Sequence, residues 1–380
     1  MIRFHGVRVL EPAGLSAPRT VEVATDGDPQ ERDGTGLILS NGWTDLHAHL
    51  RDPGFLASET LASGAASAAA GGFTHVVAMA NTNPVLDHAA RVRGVLERAA
   101  TLPIQVSVVG ALTERLEGTT LTDAAAMARA GAVALSDDGR HAMDRPTLTR
   151  GLQAAAPAGI PVLVHGQLES RGKDPSAEVA GVEGALAALA DAPGAHLHLQ
   201  HISTRKAVQL LREAKDAGLA VTAEATPHHL AMTAADLAAG DANVSPPLRS
   251  ADDRDAVVEA LIDGVIDVVA TDHAPHTPAA KAAGANGFHG FETAAGVILG
   301  LRLPWAVLHR ALVARPREIL RLPAAADWIL IDPDEPWTVR PELFVSRGRN
   351  TPFAGRRLRG RVSLTVCRGR VVHQRAVPVG

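Results

Sequence analysis

A repeated beat of short apolar runs restricts this chain more than any other feature. From about residue 43 onward, eight β-prone stretches alternate with longer alanine-rich segments, beginning at Gly42, Phe73, Ile104, Ala132, Pro161, His196, Ala220 and Ile266. Strand starts therefore recur at roughly 30-residue intervals, the size of one βα unit. A strand followed each time by a helix makes a parallel sheet, and eight such units predict an α/β chain folded as a (β/α)8 TIM barrel. The intervening segments carry helix punctuation: STRKAVQLLREAKDAGL opens on a Ser/Thr cap and stops at Gly218.

The rhythm is confined to the middle of the chain. Before residue 42 and after about 328, short strand-like pieces take over (RFHGVRVL, TVEVAT, WILIDP, LTVCRGRVVH), separated by Gly, Pro and Asp. The expectation is a barrel over 43–327 and one small β domain built from both termini, 1–42 plus 328–380.

Charge and composition narrow the partners. Lys and Arg total 37 against 41 Asp and Glu, a net charge of -4, so no basic excess is available to neutralise a nucleic-acid backbone. A single cysteine, Cys367, makes no internal disulfide, and no N-terminal stretch joins a basic flank to a long apolar run. The expected location is cytoplasmic. Hydrophobic residues reach 46%, much of it alanine, and no run approaches the roughly 20 apolar residues of a membrane span.

In a (β/α)8 barrel the chemistry collects at the C-terminal ends of the strands. The first run ends in His47-Ala48-His49, and residues two apart on a strand face the same side. The fourth run ends at Asp137-Asp138, the fifth at His165, the sixth at His201 and the eighth at Asp272. Imidazole nitrogen with carboxylate oxygen is the donor mixture of zinc-type sites, and this set could hold one ion or two. Each residue also has a bland alternative, such as a hydrogen-bonded core histidine or, for Asp138, a turn residue before Gly139. His196, His198, His228 and His229 are read that way and stay outside the ligand set. Arg51 is placed to clamp a carboxylate by paired donors, with Asn81 and His276 supplying donors over the same mouth.

The motifs HAHLRDPG, MANTNPV, LSDDG, QHIST, TAEATPHHL, PPLRS, ATDHAPHT and SRGRNTPFAG together resemble the ordered signature series of the long bacterial dihydroorotases, within the amidohydrolase superfamily. The resemblance runs from about residue 40 to 372. It implies reversible interconversion of N-carbamoyl-L-aspartate and L-dihydroorotate in pyrimidine synthesis. It further implies that His47, His49 and Asp272 hold one zinc, that His165 and His201 hold a second, and that Asp138 bridges them. His49, Arg51, Asn81, Ser245, His276, Asn286 and Gly287 are the implied substrate contacts. In the implied mechanism a metal-held hydroxide attacks the ring amide carbonyl, and Asp272 carries its proton to the departing nitrogen.

Some positions depart from that series. Ser245 stands where asparagine usually precedes Pro-Pro-Leu-Arg, Gly166-Gln167 follow His165 in place of Cys or Ala then Glu-Asp, the stretch to Pro175 is short, and Gly184 replaces an arginine. Two rivals follow. One is another cyclic-amide hydrolase: Arg51, which suits a substrate with a free carboxylate, disfavours a hydantoinase or dihydropyrimidinase, while charge alone leaves an allantoinase open. A non-catalytic subunit supporting aspartate carbamoyltransferase is disfavoured because all six ligand positions are filled. A homodimer is the other assembly in view. Hydantoinases bridge their metals with a carbamylated lysine from strand four; no lysine precedes Lys173 here, which leaves a carboxylate as the bridge.

Overall fold

The computed structural model describes residues 1–139, 144–238 and 243–375. Eight parallel strands follow one another in chain order around a barrel: β1 Trp43–Ala48, β2 Phe73–Ala78, β3 Gln105–Gly110, β4 Ala132–Ser136, β5 Val162–His165, β6 Leu197–Gln200, β7 Val221–Ala225 and β8 Val268–Val269. β8 is shorter than the run IDVVATDHAPH suggests, and beyond it Asp272 takes a left-handed conformation, φ 47°. Closure is completed beyond it: Ala48 bridges His273, the His49 N–H donates to the His273 carbonyl at 2.8 Å, and the Thr271 N–H donates to the Asp45 carboxylate at 3.0 Å.

Residues alternate in and out along each strand. Leu46, Val77, Met79, Val109, Ala134, Leu163, Val268 and Ala270 fill the interior, with Ile319 and Leu320 packed among them. The opposite faces meet the helices, where alanines let helix and sheet approach closely; Ala65, Ala68 and Ala69 of the helix Leu61–Ala70 are fully buried. The helix Arg205–Asp216 shows the expected cap: the Thr204 hydroxyl accepts from the Ala207 N–H at 3.2 Å, and Ala207, Val208, Leu211 and Ala214 form its inner stripe. Among the described residues no helix is long and apolar enough to cross a membrane.

Both ends of the chain enter one further sheet. Trp328–Thr338 pairs antiparallel with Ile38–Asn41, Leu330 opposite Leu39, while Ile38–Asn41 lies parallel to Ile2–Glu11 and Arg357–Cys367 continues the sheet on the other side. Ile2, Phe4, Val7, Val23, Leu39, Leu330, Leu364 and Val366 form its core. Residues 376–380 of the expected terminal segment lie outside the described residues. Gly42 makes the passage into β1: a Cβ there would meet the Thr74 hydroxyl at 2.1 Å. Between its two long strands the C-terminal segment returns to the barrel, where Val339, Phe344 and Phe353 pack with Met232, Val244, Leu248 and Phe288.

Candidate metal centre and active site

The strand ends bring the six candidate ligand side chains together. His47 Nε2 lies 3.4 Å from Asp138 Oδ1 and 3.5 Å from Asp272 Oδ1, and His49 Nε2 lies 3.1 Å from Asp272 Oδ1 and 3.4 Å from Asp138 Oδ2. His165 Nδ1 faces His201 Nε2 at 2.8 Å. Ligand atoms of His47, His49 and Asp272, and again of His47, Asp138 and His201, fall within 4.8 Å of one another. Burial pushes His201 well below the ordinary imidazole range, with His165 adding to the shift, so its ring is neutral. Its Nδ1 is buried with no hydrogen-bond partner among the described residues. A neutral His201 ring and the converging imidazoles of His47, His49 and His165 beside two carboxylates make a donor set that suits a borderline cation. Burial alone would raise the Asp138 carboxyl, but His47 and His49 hold it well below the usual range, so it stays an anionic donor.

Neighbouring groups set which nitrogen each histidine presents. His47 Nδ1 donates to Glu224 Oε1 at 2.6 Å and His49 Nδ1 to Asn81 Oδ1 at 3.0 Å, which turns both Nε2 atoms toward the carboxylates. The Asn81 amide N–H reaches Asp138 at 3.3 Å, so this residue links a ligand from β1 to one from β4. Asp137, next in chain to Asp138, faces the other way. It accepts from the backbone N–H groups of Leu112 and Thr113, both at 2.9 Å, and from the Thr113 hydroxyl.

A cavity of about 220 Å³ opens above the cluster. His49, Arg51, Asn81, Ser245, His276, Asn286 and Gly287 all line it, with Asp138, His165, His201 and Asp272 at its floor. Arg51 Nε donates to the Pro275 carbonyl at 3.2 Å, and its Nη2 lies 3.2 Å from His276 Nε2. Burial lowers the Arg51 guanidinium to about 10 and His276 to about 4, which leaves a cation beside a neutral ring near pH 7. The His276 Nε2–H donates to the Asn286 carbonyl at 2.7 Å. Arg51, His201 and Asp272 have φ of 58°, 35° and 47°, left-handed values that cost side-chain-bearing residues energy and cluster at functional sites.

Several contributors escaped sequence reading. Glu224 is fully buried; burial would raise its carboxyl, yet His47 and His198 draw it down to about 2. Its signal was a carboxylate inside the apolar run AVTAEA, which must find a partner when buried. His198 Nε2 meets the same carboxylate at 3.2 Å, so it supports the cluster from outside the ligand set. Glu59 holds His273 Nε2 at 3.3 Å and the Ser346 hydroxyl. Asn350, within SRGRNTPFAG, accepts from the His276 N–H and donates to the Gly287 carbonyl, both at 3.1 Å, tying two walls of the cavity. The departures after His165 also have a local context. Gln167 Oε1 accepts from Arg249 Nη2 at 2.8 Å, and Arg249 Nε donates to the Ser203 hydroxyl, itself held by Glu178. A Cβ on Gly181 would meet the Gly166 carbonyl at 1.9 Å, so helix and loop touch through two glycines. Nothing in the structure explains Gly184, whose surroundings are open.

A closed parallel barrel with histidines and carboxylates at one mouth and a sheet from both termini is an amidohydrolase-type enzyme. Sequence comparison agrees and goes further. The Dihydro-orotase-like family profile matches residues 36–159. A dihydroorotase of Anaeromyxobacter dehalogenans (strain 2CP-C) is 43% identical, covering 98% of this chain and 97% of that protein. One from Thermus aquaticus is 39% identical, covering 98% and 99%. The chain belongs to the dihydroorotase family. Among solved structures, the L-hydantoinase (dihydropyrimidinase) from Arthrobacter aurescens has a TM-score of 0.88 at 23% identity, covering 99% of this chain and 96% of that one. The dihydropyrimidinase from Brevibacillus agri NCHU1002 has a TM-score of 0.83 at 21%, covering 98% and 95%. At those identities the likeness is one of fold.

Proposed function

We propose that this chain interconverts N-carbamoyl-L-aspartate and L-dihydroorotate. The observation that carries the reading is the partly buried Arg51 cation in the same small cavity as the His/Asp cluster, since a planar two-point donor suits a substrate that keeps a free carboxylate through the reaction. Hydantoins and dihydrouracil have none.

His47, His49 and Asp272 would hold one zinc ion and His165 and His201 a second, with Asp138 shared between them. Bound there, the metal supplies Lewis-acid polarisation of the amide carbonyl and acidifies a water molecule. The chain's own residues do the rest. Arg51 fixes the substrate carboxylate, with His276 beside it, and so orients the ring. Asn81 and Glu224 keep the tautomers of His49 and His47 that leave Nε2 unprotonated. Asp272 Oδ1 accepts the proton of the attacking water and returns it to the amide nitrogen as the ring opens; ring closure runs the same transfers backward. The catalytic unit would be residues 43–327, with 1–42 and 328–380 as the accessory unit that lends Asn350. A cytoplasmic location and a small-molecule substrate go with this activity.

Metal content and L-dihydroorotate hydrolysis measured on one purified sample test the reading. The expected result is bound zinc and turnover that a chelator abolishes. Full metal occupancy without turnover would instead favour a non-catalytic subunit.

A further inference from the structure

A second cavity, of about 400 Å³, lies where Trp328–Thr338 and Arg357–Cys367 meet the segment 340–344, and it shares no lining residue with the metal centre. Three guanidinium groups line it, those of Arg340, Arg357 and Arg361. Neighbouring arginines are neutralised: Arg356 pairs with Asp236 at 3.0 Å, Arg359 with Asp334 at 2.5 Å, and Arg375 with Glu335. Among the described residues, none of the three lining arginines has a carboxylate within ion-pair distance. Arg361 lies over the indole of Trp337, 4.6 Å from the ring centre, and the indole N–H donates to the Gly360 carbonyl at 3.0 Å, which fixes that wall. The carboxylate on the wall is Glu292, and its oxygens already accept from the Val345 and Ser346 N–H groups and the Ser67 hydroxyl. A chain of net charge -4 thus gathers three guanidinium-bearing residues and one carboxylate around one hollow beside Trp337 and Phe344, with Glu335 and Glu292 acting on Arg361 from beyond ion-pair distance.

We propose that this cavity binds a phosphate-bearing small anion. Planar guanidinium forks match phosphate oxygens in pairs, and three of them meet a group with three outward oxygens and up to two charges better than they meet a lone carboxylate. The Trp337 and Phe344 wall suits an organic part on the phosphate. The anion would also offset the mutual repulsion of the three cations.

Calorimetric titration of the metal-loaded protein with inorganic phosphate, and separately with adenosine monophosphate, at low ionic strength tests this. One saturable site per chain is expected, weakening as salt is added. Tighter binding of the monophosphate ester identifies an organic phosphate as the occupant, and equal binding identifies inorganic phosphate. Arg357→Gln combined with Arg361→Gln should weaken binding at least roughly tenfold, about 1.4 kcal/mol, while Arg359→Gln, whose partner is Asp334, should leave it unchanged. Arg340→Gln, at an exposed position that folding tolerates, should weaken it severalfold. Absence of saturable binding overturns the proposal. So does binding that all of these substitutions leave intact, which would place the anion at the metal centre.

Discussion

Arg51 and Glu224 show how much one side chain decides at this site. Arg51 is a partly buried cation whose neighbour His276 is neutral, and in the proposed reaction its remaining donors would receive the substrate carboxylate. Arg51→Lys keeps the charge but loses the two-point fork, and steady-state kinetics should show a strongly raised KM with a smaller effect on kcat. An unchanged KM would mean that the carboxylate is held elsewhere. Glu224 touches the cluster through His47 Nδ1, the His201 backbone N–H and His198. Removing such a partner weakens metal binding by roughly 10- to 100-fold in comparable sites. Glu224→Ala should therefore lose metal to a competing chelator far more readily than the parent, and Glu224→Gln, which keeps the shape, should lie between them. Equal retention in all three would remove Glu224 from the positioning role.

At the scale of elements, the end of β4 separates two adjacent carboxylates. Asp137 fastens the loop after β3 through two backbone N–H groups and a hydroxyl, whereas Asp138 turns to the mouth. The two substitutions should fail differently. Asp138→Ala is expected to lose the shared metal position with a modest stability change. Asp137→Ala should keep its metal and lose about 1–3 kcal/mol of stability, because it leaves buried donors without acceptors. Metal stoichiometry and denaturant unfolding read the two effects, and a metal-free Asp137→Ala would reverse the assignment. If Asp138 bridges the metals as proposed, metal loading should not depend on bicarbonate. The segment after β5 is organised similarly, by contact between elements: its path is set by Gly166 against Gly181 and by Arg249 reaching across from the PPLRS motif.

For the whole molecule, stability should depend on pH through histidines remote from the cavity. Burial lowers both His75 and His196 to about 4, where each accepts or donates a single hydrogen bond, to Ser107 and Thr222 respectively. Unfolded histidine titrates near 6.5, so between roughly pH 4 and 6.5 the unfolded chain binds more protons than the folded one. Stability therefore rises with pH across that window and falls on acidification. Unfolding of the metal-stripped protein, followed from pH 4.5 to 7.5, should show this slope. A flat or opposite dependence would mean that these rings do not stay neutral in the fold.

The barrel and the main site residues were legible in the order of the residues because both follow from local rules. An eightfold alternation of apolar runs and alanine-rich helices leaves few alternatives to a closed parallel sheet, and polar residues ending those runs must gather at one mouth. That logic reaches His47, His49, His165, His201 and Asp272, and the family resemblance adds Asn286 and Gly287. It does not extend to groups whose meaning depends on what lies across the barrel. Glu224 is 177 positions from His47, and the apolar run around it says only that a buried carboxylate needs a partner, not which one, until β1 and β7 face one interior. Past a strand end the two-residue period no longer sets direction, so only the fold turns Asp137 toward Leu112 and Asp138 toward the histidines. Asn350 likewise gained its role when the C-terminal segment folded back over the mouth. Period and composition act between neighbours in the chain, whereas burial and hydrogen-bond partnership act between neighbours in space.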